Sequence, residues 1–399
     1  MFSSDELDNY ADILIWGLKT SRRTPFSSGD VVLLRFDAQA LPLAEAVYAR
    51  LLDLRVHPVL RLNPTAGMER SFFDLSSYNQ LVFQAPGEQE LMERLNGVIS
   101  LLAPEELTHL SGANPEDIAL TQVARKPLRD IMQRREEEGS LGWTLCLYPT
   151  PALAAAAGLS LEDYAAQIRA ACLLDHSQPV HDWTLMWREM QEIKAWLSSL
   201  DILSLHVESA CVDVRLTLGQ SRRFIGLTGH NIPSFEVYVS PDWRGTDGVY
   251  FADLPTFRSG NLIRGVRLTF ENGRLTAAGA EEGQDFVQRQ LAMDPGASRV
   301  GEFSLTDRRF SRIDHFMAHT LFDENFGGAH GNCHLALGGS YADTYTGDLA
   351  TLTTERKETL GFNASALHWD LVNTEDKRVR AKLAGGSTLT IYENGQFVR

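Results

Sequence analysis

Six of the eleven histidines lie between residues 230 and 368 (His230, His315, His319, His330, His334, His368), in a stretch that also carries isolated acids in apolar surroundings. Glu236, Glu302, His334, His368 and Asp370 are the residue types that hold divalent cations. Two hard-to-borderline ions kept close together need several carboxylates, one usually bridging, together with neutral imidazoles. Five such ligands leave room for water. His368-Trp369-Asp370 has the two-residue spacing that, on a strand, sends both polar side chains to one face and Trp369 to the other. The apolar lead-in from Ala364 to Leu367 makes the start of that strand look buried, where an unpaired charge is costly and a metal would satisfy it. Taken singly, Glu236 or Glu302 reads as a solvated strand-edge carboxylate and His334 as a hydrogen-bonded core histidine. Their joint occurrence, in order, points to metal chemistry.

Five motifs carry these residues: Asn231 to Pro241 (NIPSFEVYVSP), Gly301-Glu302-Phe303, Thr320 to Asn325 (TLFDEN), Cys333 to Gly338 (CHLALG) and Ala366 to Asp370 (ALHWD). Together they resemble the thermophilic-aminopeptidase family of dinuclear metallopeptidases, M29. The resemblance runs in register through the C-terminal half. It is looser in the N-terminal half, in the β-α-β opening, in Tyr148-Pro149-Thr150 and in Cys211 to Arg215 (CVDVR). The resemblance implies that Glu236, Glu302, His334, His368 and Asp370 bind two divalent ions, with Glu302 or Asp370 bridging and Glu302 also a catalytic residue that handles the proton. It also implies that Tyr341, seven residues after His334, donates a hydrogen bond to the tetrahedral oxyanion. The implied activity is a metalloaminopeptidase: a water activated by the metal pair hydrolyses the N-terminal bond of peptides with a free N-terminus, in a homodimer. Zinc, cobalt, manganese and magnesium all suit such donors.

The chain departs from the family pattern at two places. Phe235 stands where the family commonly has the first of two adjacent glutamates, so the ligand role falls to Glu236. Between Asn325 and His334 the linker is longer (FGGAHGNC) and places His330 beside the site, as an extra ligand, an outer hydrogen-bond donor or neither. These departures favour the alternative of a non-peptidase dinuclear metallohydrolase acting on another amide or ester. A silent binding protein would have had no reason to keep five costly polar residues. His315 and His319, four apart on an expected helix from Ser311 to Phe322, lack the glutamate of the H-E-x-x-H pattern. Asp323 and Glu324 read as structural, as partners that orient an imidazole.

The elements that must position these residues change character along the chain. Helix (Asp5 to Leu18), strand (Val31 to Phe36), helix (Leu41 to Leu54) and strand (Pro58 to Leu62) form a β-α-β opening with a parallel sheet. Gln80–Gln84, Gly97–Leu102 and Trp143–Tyr148 read as further strands, and Glu116–Glu138 as partly helical. Phe36 is followed by Asp-Ala-Gln-Ala-Leu-Pro, without the glycines a dinucleotide or P-loop site requires. Helices dominate from Pro151 to Leu200, with Trp183, Met186, Trp187 and Met190 as a core stripe. Strands follow, including Arg223–Leu227 and hairpins at Asn272-Gly273 and Asn394-Gly395. The expected fold is therefore α/β. An N-terminal α/β domain with a mostly parallel sheet (residues 1–200) precedes a C-terminal mixed α/β domain, rich in antiparallel strands, that carries the metal site (residues 201–399).

The 399 residues, 44% hydrophobic, suffice for two domains or one large one. A net charge of −15 gives the surface the wrong sign for nucleic acid or anionic lipid. No run approaches the roughly 18 consecutive apolar residues of a membrane span, and Asp5, Glu6 and Asp8 precede any basic residue, unlike a secretory signal. Four scattered cysteines without a C-x-x-C pair suggest reduced, mostly buried thiols in a soluble cytoplasmic protein.

Overall fold

The computed structural model describes the backbone of residues 1–399 and the side chains of all but Ala350. Packing divides the chain into two compact units. The first comprises Met1–Trp183 and Thr228–Pro233, the second Thr184–Leu227 and Ser234–Arg399.

The first unit is built on a parallel five-stranded sheet, ordered His57–Leu62, Val31–Phe36, Gly97–Leu102, Gly142–Leu147, Asn231–Ile232. All four neighbouring pairs run parallel. Strand Val31–Phe36 is apolar on both faces because helices cover both sides of such a sheet. The opening helix, Ser4–Thr20, starts with a capping box in which Ser3 and Glu6 satisfy each other's backbone N–H groups. Asp37, directly after the first strand, accepts hydrogen bonds from the Ala103 amide (2.6 Å) and the Asn63 side chain (2.8 Å). It thereby ties together the carboxyl ends of three strands, at the position where a dinucleotide fold would place its glycines. The segment Gln80–Gln84 is not a strand. Ser77 and Gln80 form another capping box that starts a one-turn helix, Tyr78–Leu81, and capping chemistry overrides the apolar run.

His230 leads into the last strand of this sheet and stacks on Trp143, with ring centres 4.2 Å apart. Burial pushes its imidazole down to about 4 from 6.5. Between pH 6.5 and about 4 the unfolded chain takes up a proton that the folded chain refuses, so stability falls as pH is lowered through that window. Urea midpoints measured at pH 7 and pH 4.5 should therefore differ less in His230→Phe, which keeps the aromatic stack, than in the parent. An identical difference in both proteins would exonerate His230.

The second unit contains two antiparallel sheets and a small hairpin. Its eight-stranded sheet runs in the order Arg274–Gly279, Val266–Glu271, Thr246–Ala252, Asp213–Thr217, Ile202–Glu208, Arg378–Leu383, Thr388–Glu393, Gln396–Phe397. Both Asn-Gly turns adopt positive φ at each residue, 49° and 74° at Asn272-Gly273 and 53° and 77° at Asn394-Gly395, the geometry of type I′ hairpins. The four-stranded sheet is ordered His368–Asn373, Asn332–Gly338, Val300–Thr306, Glu236–Val239. Tyr250, on the large sheet, donates its hydroxyl between the Leu371 (2.7 Å) and Cys333 (3.1 Å) carbonyls of the small one. Arg223–Leu227 forms no regular strand; only Ile225 bridges, to Tyr238.

Candidate metal centre

Each strand of the four-stranded sheet contributes to one patch on one face. Residues directly opposite one another in an antiparallel pair share a face. Glu236 lies opposite Thr306, Ser304 opposite both Tyr238 and His334, Glu302 opposite Ala336, Asp370 opposite Ala336, and His368 opposite Gly338. The polar side chains thus converge over three small residues, Ser304, Ala336 and Gly338, which leave space above the sheet. Their spacing is the two-residue period of the CHLALG and HWD motifs.

Two backbone features aim the ligands. The register between Val300–Thr306 and its neighbour slips between Val300 and Glu302, a bulge at Gly301 that turns Glu302 toward the patch. A Cβ on Gly301 would lie 2.4 Å from both the Gly338 and Gly339 carbonyl oxygens. Gly338 itself sits at φ +107°, with the Leu367 carbonyl oxygen 2.1 Å from where its Cβ would be. Only glycine fits at these two points.

The five predicted residues come together in two overlapping groups. Glu236, Glu302 and His334 have potential ligand atoms within 4.8 Å of one another, as do Glu302, His368 and Asp370. Glu302 belongs to both. The His334 Nε2 atom lies 3.0 Å from Glu302 Oε1, 3.4 Å from Glu236 Oε2 and 3.9 Å from Asp370 Oδ1. The His368 Nε2 atom lies 3.3 Å from Asp370 and 3.9 Å from Glu302. Ser304 donates its hydroxyl to Glu236 (3.3 Å).

The electrostatics of the patch call for cations. Burial, and then repulsion from Glu302 and Asp370, pushes the Glu236 carboxyl up despite the attraction of His334. Burial pulls both imidazoles down, but the surrounding carboxylates outweigh it and raise His334 and His368 above their ordinary values. Asp370 is held below the usual carboxylate range, against the effect of burial, by His368, His334 and Arg258. Metal ions satisfy the same demand for positive charge while leaving the imidazoles neutral. His368 is already set up for that state. Its Nδ1–H donates to the Gly339 carbonyl (2.9 Å), which leaves the Nε2 lone pair facing Asp370 and Glu302. The donor set therefore fits divalent metal.

Tyr341 is half-exposed at the rim. Its amide donates to Ser240 Oγ (2.9 Å), and its ring lies 4.7 Å from the His368 ring and 5.8 Å from that of Tyr238. Partial burial, with Glu302 and Asp370 nearby, pushes its phenol well above 10. It therefore keeps its proton and remains a hydrogen-bond donor.

Other candidates fall elsewhere. His315 and His319 do not share a helix: only Thr320–Asp323 is helical, and His319 caps it by accepting from the Leu321 amide (3.3 Å). His315 pairs with Asp314 at the surface. His330 is exposed, 3.8 Å from Asp376, and belongs to neither metal-capable group found among the described residues. Asp323 is structural, accepting from the Met317 and His319 amides (2.7 and 2.9 Å). Glu324 is the residue the sequence reading undervalued. It is buried, and after burial itself the charges of Glu236, Asp370 and Glu302 push its carboxyl well up, so it joins the acidic patch. Asn325 anchors that turn, accepting from the Phe235 amide (2.5 Å) and donating to the Leu321 carbonyl (3.0 Å). The acidic pair within TLFDEN was the available signal, but the sequence cannot show that its turn folds under the sheet face.

Residues 3–397 match the thermophilic metalloprotease (M29) family. Among curated relatives, aminopeptidase AmpS of Bacillus subtilis (strain 168) is 27% identical over 337 residues, covering 79% of this chain and 80% of the relative. Aminopeptidase T of Thermus aquaticus is 27% identical over 307 residues, covering 72% of this chain and 73% of the relative. The solved structure of wild-type AmpT from Thermus thermophilus superposes with a TM-score of 0.81 at 21% identity, over 98% of this chain and 99% of that one, and so has the same mixed α/β fold.

Proposed function

The chain belongs to the M29 family of thermophilic metalloproteases, and on that footing we propose that it is an aminopeptidase that removes the N-terminal residue of peptides at a two-metal centre. The observation that carries the reading is the pair of ligand groups sharing Glu302. Glu236, Glu302 and His334 would hold one ion, and Glu302, His368 and Asp370 the other, with Glu302 common to both. Glu236, Glu302 and Asp370 would supply three carboxylates to the two ions, with both imidazoles neutral. When bound, the ions polarise the scissile carbonyl and acidify a water from a pKa of about 15.7 toward roughly 7. The chain's own groups do the rest. The Tyr341 hydroxyl donates to the carbonyl oxygen as it gains charge. Ser304 and the Gly339 carbonyl hold Glu236 and His368 in position. The carboxylates around the site attract an approaching α-ammonium group, which accounts for attack at chain ends.

The reading extends to a homodimer in a reducing, cytoplasmic setting. Leu60, Leu62, Met68, Leu75, Tyr78 and Phe83 of the first unit are exposed apolar side chains that a partner subunit would cover, and the four cysteines are free thiols. Among the described residues no helix is long and apolar enough to cross a membrane.

The test is hydrolysis of leucyl-p-nitroanilide and of a short unblocked peptide after loading with zinc, cobalt, manganese or magnesium. N-acetylated substrate and chelator serve as controls, and the same preparation is sized by light scattering. Chelator-sensitive cleavage confined to free N-termini, from a particle of twice 44.4 kDa, is the expected result. Two bound ions with every peptide intact would transfer the site to another amide or ester.

A further inference from the structure

A cation stands at the edge of this acidic patch. Arg258 closes the first strand of the small hairpin Thr256–Arg258/Asn261–Ile263. Its Nη1–H donates to the His368 carbonyl (3.0 Å), and its guanidinium carbon lies 5.9 Å from the Trp369 ring centre. The same charge acts on Asp370, the next polar side chain on that strand face. Arg258 therefore touches the backbone of one predicted metal ligand, and its charge acts on the carboxylate of another.

A guanidinium carries five N–H donors in a planar fork that matches a carboxylate. Among the described residues only Nη1 has a hydrogen-bond partner, and neither Nε nor Nη2 is sealed from solvent without one. The fork is thus anchored at one prong, and its other donors have no protein partner. Balancing Asp370 requires only proximity; it does not require donors left without a protein partner.

We propose that Arg258 receives a carboxylate of the substrate, so that this centre favours peptides bearing an anionic group about one residue from the bond that is cut. The anchor is the carbonyl of the residue whose imidazole serves the site, and one extended residue advances roughly 3.3–3.6 Å. Two substrate groups lie about one residue from the bond that is cut: the C-terminal carboxylate of a dipeptide, and an acidic side chain adjoining the scissile bond. The inference rests on the aminopeptidase reading.

Specificity constants are compared for Leu-Gly against its C-terminal amide, and for glutamyl-p-nitroanilide against glutaminyl-p-nitroanilide, in the parent protein, Arg258→Gln and Arg258→Lys. The parent should favour the carboxylate in at least one pair by about tenfold or more, the scale of a charge-assisted hydrogen bond, and the pair affected identifies which substrate group is read. Arg258→Gln should bring that ratio toward one, and Arg258→Lys should retain part of it. No preference in either pair for the parent protein overturns the proposal without any variant. Equal loss on both members of each pair in Arg258→Gln also overturns it, and leaves Arg258 as a partner of Asp370 only. Calorimetric titration with the reduced-bond analogue Leu-ψ(CH2NH)-Gly and its amide reads the same preference without turnover. If leucyl-p-nitroanilide is not cut, the aminopeptidase reading fails, and the analogue titration still decides the role of Arg258.

Discussion

Glu302→Gln should lose hydrolysis and metal together, with affinity falling by more than about a hundredfold, the upper range for residues that merely orient a ligand. Glu302 is the one side chain in both ligand groups, so its loss strikes both ions at once. It is 3% exposed, and glutamine has nearly the same shape, so packing of the strand should survive. What disappears is the anion facing His334 Nε2 at 3.0 Å and His368 Nε2 at 3.9 Å. Metal content after dialysis, read beside circular dichroism, separates this outcome from unfolding. Full metal stoichiometry with full turnover in the variant would dismantle the two-ion assignment.

Tyr341→Phe should behave in the opposite way, keeping its metal while kcat falls by roughly ten- to a thousandfold, the span for losing one donor to a developing oxyanion. Phenylalanine preserves the ring that lies 4.7 Å from His368, and the Tyr341 amide still donates to Ser240. The hydroxyl is the only group removed. Because its interaction grows as charge develops on the substrate oxygen, the loss belongs in kcat and not in KM. A rate equal to the parent's would take Tyr341 out of the chemistry.

The parts of this protein that were legible in the sequence share a cause: strict periodicity. His368 and Asp370 on one side of Trp369 follow from strand geometry, so their common face could be read before folding; His334, Ala336 and Gly338 join it at the same step of two once the strands pair. The Asn-Gly hairpins were equally local. Less was visible where a residue's role depends on a turn packing against something distant. Glu324 looked like one of two interchangeable acids, yet Asp323 bonds to nearby amides while Glu324 is buried where charges from three strands act on it. The four-residue spacing of His315 and His319 suggested a helix, but the stretch is irregular until His319 itself caps the single turn that follows. Arg258 carried no sequence signal, because a hairpin arginine becomes meaningful only when its guanidinium is found at the His368 carbonyl.

The return of Thr228–Pro233 to the first unit bears on how the protein is made. The parallel sheet receives its fifth strand, Asn231–Ile232, from a segment synthesised 84 residues after Leu147 closes the fourth. During translation the edge at Leu145 and Cys146 therefore waits for a partner while much of the next unit's first strands emerges from the ribosome. A chain released after residue 200 would present that edge permanently, an invitation to pair with other nascent chains.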